Sequence, residues 1–327
     1  MKTTIKVKRV RAKLSGGKHV TFPVWHLDSG KPGPCLLLTA AQHGNEVQGT
    51  EAMRRFVEIA SRSMRRGSVR GVPFTNLPAV RERRPHIRMG PEQPYGDSRG
   101  HQMNAHWPGD RKVNDTARLA HAVYSAVGED ATHLLDLHCW EGTHAAALII
   151  VNTPELREIA GRLGCPYVRV REYSEASRTL TSFFHRTGRV GMTYECSGQY
   201  EINERETARC LNVVVNYAKA IGLLPGRPGK PSQQPLFSDE IEMVEVKADR
   251  SGLFCHSGLI PAETVRKGDA LGHILSDRDL SRHVIKAPAG GFLTQYGASR
   301  KDCDVALHAR HPYVTRGDTL AVIAVRR

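Results

Sequence analysis

Leu36-Leu37-Leu38-Thr39-Ala40-Ala41-Gln42-His43-Gly44-Asn45-Glu46 is the stretch that decides the fold. A short apolar run of strand length ends in a tight turn carrying an imidazole and, three residues on, a carboxylate. Beyond it Val47, Ala52, Phe56 and Ile59 recur at roughly helical steps, which predicts a helix running to about Met64. A turn at the end of a buried strand can hold an imidazole and a carboxylate rigidly enough to grip a metal ion. Zinc hydrolases commonly use two His and one Glu and leave the fourth position open for water. The pair alone fits equally a helix N-terminus with an acidic residue in its first turn.

Upstream, Lys2 to Arg11 and His19 to Leu27 alternate as strands, punctuated by Ser15-Gly16-Gly17 and a Gly/Pro turn at 29–34. Downstream, Val72 to Leu77 reads as a short strand, and residues 81–110 as a long loop of the kind usually functional or disordered. Asn114 to Val127 is amphipathic, and His133 to His138 is a second apolar strand, ending in a His. Ala145 to Val151 is a buried strand, Pro154 to Gly164 a helix, Val190 to Glu195 a strand that stops on a carboxylate, and Glu204 to Ile221 a long helix. Pro225 to Pro235 cannot hold regular structure and reads as a linker between a domain at 1–224 and a small all-β domain at 236–327. In that second part Gly268-Asp269 and Gly317-Asp318 each introduce a strand, which suggests a sandwich or barrel.

The chain has 327 residues, 40% hydrophobic and 24% charged, which suits one large α/β domain plus a smaller one. No apolar run approaches the ~20 residues that span a bilayer. The first residues read as a basic edge strand of a cytoplasmic protein rather than a signal peptide. Seven Cys without paired spacing argue for reduced thiols. The net charge of +14 fits nucleic acid, an anionic substrate or only a basic surface. Arg is dense between Arg54 and Arg88 without interleaved Trp and Tyr as stacking platforms, which disfavours nucleic acid.

His43 and Glu46 follow one strand, His138 ends a second and Glu195 ends a third. In an open α/β sheet the carboxyl ends of strands meet in one crevice. Three ligands would hold a zinc with one open site, and Glu195 would stand ready to take a proton from water and pass it to a leaving nitrogen. Asp136, two residues before His138, shares its face and would orient that His.

His43-Gly-Asn-Glu46, Asp136-Leu-His138 and Thr193-Tyr-Glu195 together resemble the succinylglutamate desuccinylase/aspartoacylase family of the zinc carboxypeptidase superfamily. Asn76-Leu-Pro-Ala-Val80 is similar to the family's segment before its substrate-binding loop, and Met103 to Gly109 to its Asn-Arg-x-Phe-Pro-Gly. The resemblance covers nearly the whole chain. It implies a carboxypeptidase-like mixed sheet flanked by helices with a small C-terminal β-domain. It implies one zinc held by His43, Glu46 and His138, Glu195 as general base and acid, and an Arg before Asn104 that polarises the scissile carbonyl. Arg84 fits that spacing best, with Arg83 and Arg88 close behind. Asn104 carries over as substrate-binding, with Arg88 and His106 as further candidates. The family's next Arg, which pairs with a substrate carboxylate, is Ala105 here, so another Arg such as Arg99 supplies that charge or the substrate lacks it.

Cys139 and Cys196 point away from His138 and Glu195 by strand alternation and read as core thiols. His133, Tyr296 and Tyr313 read as packing residues. The expected function is zinc-dependent removal of an acyl group from the nitrogen of a small amino-acid-like substrate. A peptide-trimming carboxypeptidase and a non-catalytic or nucleic-acid-binding member of the fold are the rivals. The β-domain offers a contact surface for a homo-oligomer.

Overall fold

The computed structural model describes residues 3–90, 92–230, 234–300 and 311–327. The expected linker at 225–235 therefore lies partly outside the described residues. Strands β1 (Thr4–Lys13) and β2 (His19–Asp28) form a hairpin, and β3 (Cys35–Ala40) leads through the His43 turn into helix α1 (Gln48–Ser63). After β4 (Ser68–Val72) come α2 (Leu77–Glu82) and α3 (Asp115–Val123). Next are β5 (His133–Trp140), β6 (Ala147–Val151), α4 (Pro154–Ala160), β7 (Tyr167–Arg171), α5 (Leu180–Arg186), β8 (Val190–Ser197) and α6 (Glu204–Ala220). With the short β9 (Leu236–Phe237) these strands make a nine-stranded sheet in the order β1-β2-β4-β3-β5-β8-β6-β7-β9.

The centre of the sheet is parallel, β4-β3-β5-β8, and β6 enters antiparallel to β8. All six residues of β3 are buried, as a strand covered on both faces requires. One face packs α1 and α6, with Phe56, Met53 and Val214 fully buried. The other packs α3 and α5 through Leu119, Val123, Leu180 and Phe184. Burial of each such side chain contributes roughly 1.5–3 kcal/mol.

Beyond the large sheet lie two four-stranded antiparallel sheets, built from β10 (Ile241–Lys247), β11 (Gly252–His256), β12 (Thr264–Val265), β13 (Ala270–Leu275), β14 (Arg282–Lys286), β15 (Gly291–Ser299), β16 (Tyr313–Val314) and β17 (Thr319–Arg326). They face each other over one core that includes Phe254, Ile274, Leu293 and Ile323, so the expected sandwich is present. It packs on the β6–β7 side of the large sheet: Ala145, Ala147 and Tyr167 meet Ile241, Phe292 and Ala324. Thr294 O accepts from Ala145 N at 2.9 Å. Among the described residues no helix is long and apolar enough to cross a membrane.

Two local expectations change. The strand expected at Val72 to Leu77 ends at Val72, and Leu77 instead begins α2, because Asn76 caps it by accepting from Ala79 N and Pro78 suits its first turn. The strand expected to stop at Glu195 continues to Ser197, and the one expected to stop at His138 continues to Trp140, so both residues stand inside their strands.

Asp115 ties the N-terminal hairpin to α3. Ser15 donates to it from N at 2.6 Å and from Oγ at 2.8 Å, and Arg88 donates from Nη2 at 2.6 Å. Burial alone would raise its pKa, but the Ser15 donors and the Arg88 and Arg118 cations outweigh that and hold it below the usual range. A depressed folded pKa stabilises fully above the unfolded value and is lost as pH falls through the folded one. Asp115→Asn is expected to lower the urea-unfolding free energy at pH 7, with the gap to wild type closing at pH values below ~3.9.

Gly49 supplies a second test. In a helix Gly→Ala ordinarily gains ~1 kcal/mol. Here a Cβ would lie 2.6 Å from Leu137 Cβ, where α1 crosses β5. Gly49→Ala is therefore expected to destabilise by about 1–3 kcal/mol, measured by urea unfolding.

Candidate metal centre and active site

The His43 turn is clamped from outside. Ala41 takes a left-handed φ of 53° while fully buried, a strained entry that only a firm brace sustains. Ala41 O accepts from Asn76 N, Gln42 O accepts from Asn76 Nδ2, and Gly44 N donates to Pro85 O at 3.1 Å. Gly44 sits so close to α2 that a Cβ would lie 2.2 Å from the carbonyl carbon of Ala79. The Asn76-to-Val80 segment is thus the wall against which the His43–Glu46 turn is set.

Sheet register supplies the rest. In β5 and β8 His138 pairs with Glu195 and Asp136 with Thr193, while β3 brings Thr39 beside Asp136. His43, Glu46, Asp136, His138 and Glu195 are all buried. Donor atoms of His43, Glu46 and His138 lie within 4.8 Å of one another, a cluster that could hold a metal ion.

The ring of His138 is oriented from behind. Its Nε2 is 3.1 Å from Asp136 Oδ2 and donates its N–H there. Asp136 is itself held by the Thr39 hydroxyl at 2.6 Å and by the Gln42 amide, whose carbonyl accepts from Trp107 Nε1 at 2.7 Å. His138 Nδ1 then stands 2.8 Å from Glu46 Oε2. Without a metal, a proton on Nδ1 donates to Glu46, and a metal ion bound there would displace it. Burial pulls the His138 pKa down, yet Asp136 and Glu46 lift it well above the ordinary value.

His43 differs. Burial lowers it to about 4, so its ring is neutral near neutral pH, and its Nδ1 is buried without a hydrogen-bond partner. Its Nε2 lies 3.4 Å from the Asn104 amide, and the ring packs against His86 and Tyr95 at centroid distances of 5.3 and 5.6 Å. Glu46 also accepts from Cys139 N at 3.1 Å and from Tyr95 Oη at 3.0 Å. Burial raises its pKa, but the two His and these donors leave it lowered overall. Glu195 is lifted to about 8 by burial, with Glu46 and Asp136 adding to the rise and His138 opposing it.

An unpartnered imidazole nitrogen, a second imidazole oriented by a carboxylate and a Glu with a lowered pKa make a donor set that could hold a divalent metal ion. They open onto a cavity of about 860 Å³ that also reaches Glu195, Asn104 and, from the sandwich, Thr294 and Gln295.

The remaining candidates are placed elsewhere. Arg88 is held by Asp115 and Ser15, and His106 Nε2 sits 2.7 Å from Gly100 O. Arg84 is half-buried, its N donating to Ala79 O, and none of these three side chains lines the cavity. Arg83 is the left-handed C-cap of α2, and Arg99 pairs with Asp97 at 3.5 Å. Cys139 and Cys196 are in the core, His133 packs edge-on against Tyr217, and Tyr296 is buried in the sandwich with Oη on Leu271 O.

Sequence reasoning passed over Gln42, Tyr95, Gln199, Arg169 and Arg171, all at or lining the site. Gln42, adjacent to His43, was the one with a local signal: a polar residue inside a buried turn needs partners.

Comparison with known proteins gives the family and the fold. The model of the succinylglutamate desuccinylase/aspartoacylase catalytic domain matches residues 32–221. An N-alpha-acetyl-L-2,4-diaminobutyric acid deacetylase of Halomonas elongata is 26% identical over 316 residues, 93% of this chain and 86% of that one. A succinylglutamate desuccinylase/aspartoacylase structure from Rhodobacter sphaeroides superposes with TM-score 0.70 at 23% identity, covering 99% of this chain and 95% of its own. The product-bound ectoine utilization protein EutE (DoeB) of Ruegeria pomeroyi gives TM-score 0.70 at 19% identity, with the same coverage. Since the catalytic-domain match spans more than half of the chain, this protein belongs to the succinylglutamate desuccinylase/aspartoacylase family.

Proposed function

We propose that this protein is a zinc-dependent deacylase that hydrolyses the amide bond of a small N-acyl amino-acid-like substrate. One observation carries the reading: the partnerless Nδ1 of His43, the Glu46 carboxylate and the oriented Nδ1 of His138 converge where Glu195 shares the same cavity. The deacetylase named for the Halomonas relative supports the reaction class. His43, Glu46 and His138 would hold the ion. Bound there, zinc supplies Lewis-acid polarisation of a carbonyl and acidifies water.

The side chains do the rest. Asp136 keeps the proton of His138 on Nε2, so Nδ1 stays a donor to the ion. Glu195, lifted toward neutrality, takes a proton from the attacking water on its carboxylate and returns it to the leaving nitrogen. Asn104, beside His43, orients the substrate at the cavity mouth. Arg84 receives no step, because its side chain does not line the cavity. We read residues 1–224 as the catalytic unit, with the sandwich of 236–327 contributing the outer wall.

Purified wild type is expected to hold about one zinc per chain, and His138→Ala little, by elemental analysis. Equal content in both would overturn the metal assignment. Glu195→Gln is expected to keep the zinc while losing ~10²–10⁴-fold in kcat on an N-acyl amino acid. Faster turnover of blocked dipeptides than of N-acyl amino acids would favour a carboxypeptidase instead.

A further inference from the structure

The cavity has two electrically different walls. Toward the large sheet's centre stand the carboxylates of Glu46 and Glu195. Two strands away, on β7, stand Arg169 and Arg171. Register explains why they face the same space. Ala147 of β6 pairs with Glu195, and the β6–β7 pairing sets Ile149 against Arg169 and Val151 against Arg171. Because side chains alternate, Tyr167, Arg169 and Arg171 share the Glu195 face, while Val168 and Val170 pack into the opposite core. Two strand spacings of about 4.8 Å separate β7 from β8, a span suited to one small molecule.

Both arginines are exposed at their side chains. Among the described residues, no salt bridge joins either guanidinium to a carboxylate, although many other arginines of the chain are paired. Arg169 instead lies over the Trp140 ring, 6.0 Å from its centroid. Arg171 lines a second recess of about 300 Å³ that shares Asn104, His138 and Glu195 with the main cavity. Partial burial of its guanidinium and the neighbouring Arg169 depress its pKa, and Glu195 opposes that only in part. The loop on the opposite rim brings no charge at Ala105.

We propose that Arg169 and Arg171 form the subsite for a free carboxylate of the substrate and thereby set its specificity. A guanidinium pair presents several parallel donors to a planar carboxylate, and the same anion relieves the repulsion between the two cations. The carboxylate end of an N-acyl amino acid is thus drawn to β7 while its amide lies toward Glu195. This assignment rests on the deacylase reading for which bond is cut, but the carboxylate preference itself is a property of binding.

The test separates the two. An uncleavable N-methylsulfonyl amino acid and its carboxamide are titrated into the zinc-loaded protein by calorimetry, in wild type, Arg169→Gln, Arg171→Gln and Arg171→Lys. Wild type is expected to bind the free carboxylate at least ~10-fold tighter than the carboxamide, as charge-assisted pairs allow. Each Gln variant is expected to erase most of that difference, mainly by weakening the carboxylate, and Lys to restore part of it. With a cleavable N-acyl amino acid the same variants are expected to raise KM more than they lower kcat. Equal wild-type affinities, or a preference that survives both Gln variants, would overturn the subsite. A carboxylate preference that persists with no amide cleaved would overturn the deacylase reading and leave the subsite standing.

Discussion

His138 stands between two buried carboxylates, its Nδ1 2.8 Å from Glu46 Oε2 and its Nε2 3.1 Å from Asp136 Oδ2, and the surrounding fold is arranged to keep it there. Two buried carboxylates this close need a positive charge between them, which a protonated imidazole supplies and a bound metal ion could replace. Asp136 fixes the ring by accepting from Nε2, which leaves Nδ1 turned to Glu46. Gln42 and Thr39 hold Asp136, and Trp107 holds Gln42, so the constraint reaches from the metal cluster to the loop that carries Asn104.

That arrangement is costly in isolation. Buried carboxylates and a strained Ala41 each work against folding, and they persist because the sheet and α2 give them no room to relax. Gly44 and Gly49 mark where the room has been removed, one against Ala79 and the other against Leu137. The apolar layers of α1 with α6 and of α3 with α5 supply the stability on which this polar island stands.

The sandwich matters because it lies where the large sheet is open. β6 and β7 carry the sheet past Glu195, and β10, β15 and β17 pack across them, so Thr294 and Gln295 complete a cavity lined from the large sheet by β5, β8 and β7. One wall is acidic, and the other is basic. A substrate that is neutral at its amide and negative at its far end would match both walls at once.

Much of this was legible beforehand. The apolar runs at Cys35 to Ala40, His133 to His138 and Val190 to Glu195, each meeting a His or Glu, announced the strands and the cluster, since burial and period are local properties of a chain. The Asp136–His138 alternation placed both on one face for the same reason. What stayed hidden depends on partners distant in sequence. Asn76-Leu-Pro-Ala-Val80 looked like a loop's approach until its cap and its contact with Gly44 made it a helix and a brace. Arg84 and Arg88 had the right spacing, yet spacing cannot say that Asp115 would take Arg88 or that the Arg84 side chain would miss the cavity. Nothing local marks Arg169 and Arg171, because only the register of β8 with β6 and of β6 with β7 brings them to the face of Glu195. The amino-acid sequence by itself determined which segments form strands and which residues are chemically able to bind metal. Tertiary structure alone decided which cations face them, because strand order and register are set by long-range pairing that leaves no periodic trace in the chain.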